Sequence, residues 1–525
     1  MGKTVSLQTR LQLTSATLLL VTAAITATGY VRELALASLF GAGAEMDAFY
    51  FSLGLVQALH DLVFAGALGA TIVPLLHLHD AGSRAGVDGR ARIVVTVTLV
   101  VAVLAGTLAL VLWLGMPYII EAIAPRMSQQ GRTTSTAFAM VLVWSLPAGA
   151  LTTLFTFVLN AHHRFATAAL AHLANNMIFV AVLVLLAPSF GAQVLPFSAL
   201  AGPVITAPVL AVYLGRLGLL RRIRPDLSRA FFQPFWRLSR FLLLSLGIGS
   251  TGGLLMASHL IVRSFAADQG EGAIAALGFA FRIYEVPISL LANPAATIVL
   301  PIVASLYAAG RVDEIRRVCR QISLWGLIVL FPAAVVMWGG ADVIVHILLR
   351  RGNFDAEATR ITAEALRGFA PAVLVEAAFV VFFRVFYALH RPDRTVVVAL
   401  VTLLSLVAFL SLVPKGAFVL VPLCLSAAFT IAAFLLAGFL VPILGREALP
   451  GPDQLVRWLA SAALGAVAWK LVSWRQGQDA AAQLAPVAAF LCAYAVSVGI
   501  LLPDFRRTTL TVLREAASHA GRWRR

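Results

Sequence analysis

Long apolar runs alternate with short polar stretches along the whole chain. A bilayer core about 30 Å thick is crossed by a helix of about 20 apolar residues, so each run predicts one membrane-spanning helix. Runs above about 25 residues imply tilt, kinks or projecting ends. The pattern predicts about fourteen spans, at roughly 11–39, 48–78, 93–118, 134–160, 165–187, 195–218, 240–265, 273–305, 320–338, 361–389, 395–413, 416–442, 455–474 and 482–502.

The composition agrees with this pattern. Hydrophobic residues make up 60% of the chain and charged residues 12%, and the mean hydropathy is +0.91. Soluble domains lie outside this range, so we expect an all-α polytopic membrane protein. The first run follows Lys3 and Arg10 and could be read as a signal peptide. Because it is too long for one, and the later loops are too short for a secreted domain, we expect it to remain as a helix.

The net charge of +16 by itself is typical of a protein that binds nucleic acid. However, most Lys and Arg residues fall in alternate loops, including a basic stretch between the sixth and seventh spans. The positive-inside rule then places both termini in the cytoplasm. The charge therefore sets topology and attracts anionic lipid headgroups, and we expect no nucleic-acid partner.

Several classes of chemistry have no signature in the chain. Cys319, Cys424 and Cys492 are scattered and predict neither a disulfide framework nor a metal site. The sequence has no phosphate-binding loop, zinc-protease motif or nucleophile elbow, and no loop long enough for a catalytic domain. We therefore expect a transporter without metal or cofactor, not driven by its own ATP hydrolysis.

An internal repeat divides the chain. The string FVLNAHHRFAT resembles RVFYALHRPDRT, with Val158 matching Val385 and Arg164 matching Arg391 at one constant offset. The offset covers six spans, so the halves have the same orientation, and such parallel repeats place a substrate site between them. We predict two pseudo-symmetric six-helix lobes plus two C-terminal helices. The expected divisions are 1–220, a basic connector at 221–240, 241–445, and the last two helices with a basic tail at 446–525.

Charged residues inside the spans predict the site. Arg32 and Glu33 lie in the first span, and Arg282 and Glu285 lie three residues apart in the eighth. Intramembrane charges normally face a wet cavity and indicate a substrate or ion pathway. Together with Asp47 they predict a polar chamber in which two arginines hold a diphosphate through their forked guanidinium groups. The alternative is a buried structural ion pair.

Other polar residues within spans are weaker candidates. His60 could contact substrate or sense protons, or be a packed histidine. Because neighbours on a helix point about 100° apart, His60 and Asp61 are not expected to face one spot. Asp61 and Glu376 are candidates for a coupling cation or proton. Pro287 and Pro294 are expected to break the eighth span beside the chamber.

Particular strings carry a family resemblance. GYVRELALASLFGAGAEMDAFYFS, FRIYEVP, RGNFD and RVFYALHRPDRT resemble the lipid II flippases of the MurJ (MviN) family, in the multidrug/oligosaccharidyl-lipid/polysaccharide exporter superfamily. The resemblance implies fourteen helices and a V-shaped, two-lobed transporter. It implies flipping of undecaprenyl-diphosphate-linked peptidoglycan precursor across the bacterial cytoplasmic membrane, with roles in cell-wall biogenesis and cell shape, and partners among membrane lipids and cell-wall synthesis proteins. The lipid tail would lie in a groove beside the last two helices.

The resemblance also assigns site residues and departures. Carried over by position, Arg32, Asp47, Arg282 and Glu285 correspond to family site residues. Thr26 and the His60–Asp61 pair occupy positions where the family has arginines. Gln57 occupies the family's substrate-site position just before the His60–Asp61 pair. Three readings of the chain therefore stay open: a lipid II flippase in which another residue compensates, a divergent flippase for an exopolysaccharide or O-antigen unit, and a cation-coupled exporter. A membrane enzyme or scaffold is the alternative outside transport.

Overall fold

The computed structural model describes residues 7–65, 86–162, 164–220, 225, 251–473, 480–503 and 505. Helices occupy most of the described part of every predicted span. The predicted connector 221–240, apart from residue 225, and the basic C-terminal tail lie outside the described residues. The α-helices are α1 (Leu7–Phe40), α2 (Ala44–His60), α3 (Gly86–Ile123), α4 (Gln129–Leu142), α5 (Ser145–Ala161), α6 (Phe165–Phe190), α7 (Val194–Arg216), α8 (Thr251–Ala266), α9 (Ala273–Pro287), α10 (Asn293–Ala308), α11 (Val312–Gly339), α12 (Ala341–Leu349), α13 (Ala356–Phe369), α14 (Ala372–Ala388), α15 (Pro392–Ser411), α16 (Leu420–Leu444), α17 (Pro452–Ser473) and α18 (Ala480–Leu501).

Many of these helices suit a bilayer. Within the described ranges, seven helical stretches are long and apolar enough to cross a membrane, and up to nine if each bent pair counts as one span. One of the seven, 166–216, contains a turn at Gly191, where φ is +55°, and its two arms α6 and α7 pack against each other. The chain is therefore a multi-pass helical membrane protein.

The helix boundaries follow the spacing of the sequence repeat. The pair α4 and α5 bends by 46°, and so does the pair α13 and α14, whose boundaries lie 227 residues further along the chain. A π-helical turn at Asp61–Ala65 after α2 has its counterpart at Ile288–Ala292 after α9, again at the same spacing. These matched boundaries and bends indicate that the two halves share the same order and spacing of helices.

The break in the eighth predicted span lies between its two prolines. The π turn Ile288–Ala292 begins directly after Pro287, and Pro294 follows it in the first turn of α10. Each proline lacks an N–H, so a carbonyl one turn earlier loses its helical partner and the helix can widen. The counterpart turn at Asp61–Ala65 forms without proline, so proline favours the break but is not required for it.

Close packing at glycines joins α2 to the second half. Gly278 of α9 faces the ring of Tyr50, and Gly54 of α2 faces the guanidinium of Arg263. The Arg263 Nη1 atom donates to the Tyr50 carbonyl at 3.0 Å. The segment Ala273–Ala292 is the most buried of the candidate spans in the described bundle. The contacts of Tyr50 with α8 and α9 therefore lie in the buried interior of the molecule.

The last two helices pack on one side of the second half. Tyr494 of α18 donates to the Ile328 carbonyl of α11 at 3.0 Å and accepts from the Trp458 indole at 3.1 Å. Phe331 of α11 packs against Trp458, Phe490 and Tyr494. The pair α17–α18 is thus attached to the bundle through one face of α11.

We expect Gly278→Ala to destabilise the bundle, because a Cβ at this position would lie 2.7–2.8 Å from three ring atoms of Tyr50. Overpacking of this kind costs about 1–3 kcal/mol. The apparent melting temperature of purified protein in detergent measures the effect. Gly106→Ala on α3 is the matched control, since its Cβ meets open space. Equal melting temperatures for the two variants would contradict the packing described here.

Candidate substrate chamber

The charged centre of the molecule is the buried carboxylate of Glu33, which is 1% exposed. Arg32 donates to it through Nη2 at 2.8 Å, and Arg282 from the other half donates through Nε at 3.2 Å. Tyr50 donates its hydroxyl to the second carboxylate oxygen. A buried charge is tolerated only when it is paired and hydrogen-bonded. Glu33 therefore joins α1, α2 and α9 through its three donors.

The expected pair on α9 is also present. Arg282 Nη1 donates to Glu285 at 2.7 Å across one helical turn, and the two side chains are 30% and 40% exposed. Arg282 thus contacts two carboxylates at once, one buried and one accessible. The Arg32 guanidinium lies 5.2 Å from the centre of the Phe179 ring on α6. Both guanidinium groups are held in fixed positions by neighbours from different helices.

Arg32, Arg282 and Glu285 line one cavity of about 290 Å³ between α1, α6 and α9. We call it the chamber. Its wall includes Thr26 and Tyr30 of α1 and the polar side chains His172, Asn175, Asn176 and Ser289. The structure therefore brings together the predicted charges of the first and eighth spans in the wall of one cavity. This placement favours the chamber over the alternative of an enclosed structural ion pair.

A second polar cavity of about 390 Å³ adjoins the chamber and is lined mostly by the first half, with Met256 of α8 in its wall. The two cavities share Arg32, His172 and Asn175. Gln57, His60 and Asp61 of α2 and its π turn line the second cavity, together with Ser145, Thr152 and Thr153 of α5. Gln57 and His60 thus lie near Arg32, as candidate substrate residues should, but on the side away from α9.

The expectation that His60 and Asp61 cannot face one spot is wrong. Their side chains contact each other, with His60 Nδ1 2.9 Å from Asp61 Oδ1, and both line the second cavity. Asp61 has α-helical backbone angles (φ −71°, ψ −36°) and its N–H donates to the Gln57 carbonyl, so the step from His60 is regular and the contact forms because the two side chains turn toward each other. The other ring nitrogen of His60 lies 3.4 Å from the Thr153 hydroxyl.

Asp47 lies away from both cavities. Its two carboxylate oxygens accept from the backbone N–H groups of Gly272 and Ala275, each at 2.7 Å, at the start of α9. In return, Glu271 accepts from the N–H of Ala44 at the start of α2 at 3.1 Å. Carboxylates satisfy the free N–H groups of a helix start and interact favourably with its dipole. Asp47 and Glu271 therefore cap each other's helices across the two halves.

The RGNFD string closes the same end of the molecule. The Asn353 N–H donates to the Ser38 carbonyl at 2.9 Å, and its side-chain amide donates to the Leu39 carbonyl at 2.6 Å. Gly41 and Gly352 have positive φ, and a Cβ on either would overlap backbone of the other loop. We call these contacts, with the Asp47 and Glu271 caps, the clasp. Two of the strings that carry the family resemblance, GAGAEMDAF and RGNFD, thus meet at the clasp.

Glu376 is buried behind the chamber wall, where it accepts from the Tyr284 hydroxyl. It does not line the chamber or the adjoining cavity.

Sequence reasoning missed Tyr50 and His172, because an uncharged tyrosine or a single histidine in an apolar run has no distinguishing pattern. Among the described residues, no group of three or more His, Cys, Asp or Glu side chains is arranged to hold a metal ion.

Comparisons with known proteins identify the fold and the family. The "Probable lipid II flippase MurJ" of Rhizobium tropici is 28% identical over 398 residues, covering 74% of this chain and 74% of the relative. A solved structure of lipid II flippase MurJ in an inward closed conformation superposes with a TM-score of 0.76 at 16% identity, over 93% of this chain and 98% of that one. An inward-facing multidrug resistance MATE family transporter of the MOP superfamily gives 0.65 at 14% identity, over 79% and 93%. The family described as lipid II flippase MurJ matches residues 36–491, and this chain belongs to that family.

Proposed function

We propose that this protein is a flippase that moves lipid II, the undecaprenyl-diphosphate-linked peptidoglycan precursor, across the bacterial cytoplasmic membrane. The observation that carries the proposal is the chamber, where Arg32 and Arg282 face one polar space from opposite halves. A diphosphate carries charge that suits two guanidinium groups, and each can bind phosphate oxygens in a forked, bidentate way. Family membership supplies the substrate class.

We propose that the diphosphate competes with carboxylates for the two arginines. Glu33 and Glu285 already occupy donors of Arg282. Glu285 is more exposed and turns away more easily, so it is the carboxylate that substrate displaces. Exchanging one anion for another leaves the guanidinium paired at each stage. Binding is then reversible, which a transporter needs in order to release its cargo.

We propose alternating access through rocking of two lobes, 1–220 and 241–445, about the 221–240 connector, with fourteen crossings and both termini in the cytoplasm. With that orientation the clasp lies at the outer face. The clasp consists of a few hydrogen bonds to backbone groups, each worth about 0.5–3 kcal/mol net. Such an interface can open and re-form during each cycle.

A flippase for another lipid-linked glycan is the second candidate. The observation that favours it is the His60–Asp61 pair in the cavity that adjoins the chamber, where the family resemblance implies arginines. A sugar unit with fewer acidic groups would suit this cavity better than a strongly anionic one. Depleting the protein and measuring which lipid-linked precursor accumulates on the inner leaflet separates the two substrates. Cell-wall synthesis proteins are the partners we expect for the first candidate.

We expect Arg282→Ala to abolish complementation of a strain depleted of this protein. The double variant Glu33→Gln with Arg282→Ala also removes the buried carboxylate that has lost one of its three donors, so it should fold, as measured by expression and melting temperature, but should not transport. Arg360→Ala is the matched control, because Arg360 pairs with Glu357 and Glu364 on the exposed face of α13. Wild-type complementation by either Arg282 variant would contradict the proposal.

We expect Glu285→Gln to tighten binding of undecaprenyl diphosphate, because it removes the accessible competitor for Arg282. Solvent screening at this partly exposed pair limits the increase in affinity. We expect the Kd to fall about tenfold, which corresponds to about 1.4 kcal/mol. Titration of the purified protein measures it. Glu357→Gln, at an exposed pair on α13, serves as the control. An unchanged or weaker affinity in Glu285→Gln would show that Glu285 does not compete with substrate.

We expect the double variant Asp47→Ala with Glu271→Ala to open the outer face more often, since both helix caps of the clasp are lost. A cysteine introduced at Thr26 in the chamber, with Cys319, Cys424 and Cys492 replaced by serine, reports this opening. Its labelling by a membrane-impermeant thiol reagent from outside should rise above that of the same cysteine in the intact clasp. Unchanged labelling would mean that the clasp does not limit access to the chamber.

A further inference from the structure

An apolar cavity of about 370 Å³ lies in the second half, between π2 (Ile288–Ala292), α10, α11 and α14. Its size falls within the range of small-molecule pockets. Apart from Gln321 and Ser323, its wall is apolar, and much of it consists of small residues: Ala292, Ala295, Gly326, Ala377 and Ala378. An apolar space of this kind does not hold ordered water, so its ligand should be a hydrocarbon.

The cavity opens at the side of the bundle. Leu291 and Val329 in its wall are 43% and 38% exposed. At Gly326 a Cβ would meet no atom within 4 Å, so the space beside α11 is open. A chain lying in the bilayer could enter from this side without passing through the polar chamber.

This cavity is distinct from the groove expected beside the last two helices. On α11, Leu324, Ile328 and Phe331 face α17 and α18. Gly326 and Val329 line the cavity, and at 100° per residue they project from the opposite side of α11. None of the residues lining the cavity belongs to the described parts of α17 or α18.

The cavity and the chamber lie on the two sides of one broken segment. Val286 and Ser289 line the chamber, whereas Leu291, Ala292 and Ala295 line the apolar cavity. The π turn between them packs against α1 on one side and α14 on the other. Arg282 and Ala292 are ten residues apart in this segment, about 15 Å along a helix, so one polyprenyl diphosphate could place its diphosphate at the first and part of its hydrocarbon chain at the second.

We propose that the apolar cavity binds an isoprenoid stretch of the lipid carrier while the chamber holds its diphosphate; this inference rests on the proposed function. A polyprenyl diphosphate joins a charged group directly to a methyl-branched chain, which matches a polar and an apolar cavity placed side by side. Inside a membrane the chain gains packing contacts but no hydrophobic free energy on binding. The cavity thus positions the cargo at the broken segment and selects its chain by shape.

An undecaprenyl diphosphate analogue with a diazirine in its isoprenoid chain tests the inference. The full-length protein is reconstituted in phosphatidylethanolamine–phosphatidylglycerol vesicles and irradiated, and labelled peptides are identified by mass spectrometry. We expect adducts within 321–330 and 374–381 that excess undecaprenyl diphosphate removes. Adducts confined to 452–501, or equal labelling of the cavity by a diazirine phospholipid that undecaprenyl diphosphate does not displace, would overturn the proposal.

A cavity-filling variant gives an independent measurement. A Cβ at Gly326 meets no atom within 4 Å, so Gly326→Leu should direct its side chain into the cavity. We expect it to reduce cavity labelling and lipid II translocation about tenfold each, about 1.4 kcal/mol. Gly106→Leu on α3, also in open space, should leave both unchanged. If Gly326→Leu transports like wild type, the cavity has no role although the proposed function stands. If wild type moves no lipid II, the proposed function fails, and the labelling result still decides whether the cavity binds a polyprenyl chain.

Discussion

The buried carboxylate of Glu33 is the constraint on which the centre of this protein depends. It accepts from Arg32 beside it, from Tyr50 of α2 and from Arg282 of the other half. A carboxylate that is 1% exposed would be very unfavourable without these donors. Since the donors come from both halves, satisfying Glu33 also fixes where α1, α2 and α9 meet. The two arginines that face the chamber are positioned by the same contacts.

The two halves are linked in two chemically different ways. At the chamber the link is ionic and partly wet, because Arg282 and Glu285 are accessible. At the clasp it consists of helix caps and loop contacts to backbone atoms, with Asp47 and Glu271 exchanging roles across the halves. In the proposed mechanism, substrate acts on the first link by competing for guanidinium groups. The second link consists of contacts to backbone groups, so movement of α2 and α9 would open it.

The broken helix α9–π2–α10 carries polar side chains before its break and apolar side chains after it. Ahead of the break, Arg282 and Glu285 face the chamber, and after it Ala292 and Ala295 face the apolar cavity. The π turn rotates the later residues relative to a regular helix. A single transmembrane segment can therefore present a charged wall to one side and a hydrocarbon wall to the other, as an amphiphilic lipid cargo requires.

The sequence by itself determined the helical membrane class, the position of nearly every helix, the repeat, and the charged residues of the chamber. These features follow from local periodicity and from the high free energy of charge in hydrocarbon, which act on each segment separately. Only the tertiary structure decided that Asp47 caps α9 instead of lining the chamber, that His60 and Asp61 face one cavity, and that Glu376 is buried against Tyr284. Those outcomes depend on partners far away in the chain and on the orientation of individual side chains, which the pattern of one segment does not contain.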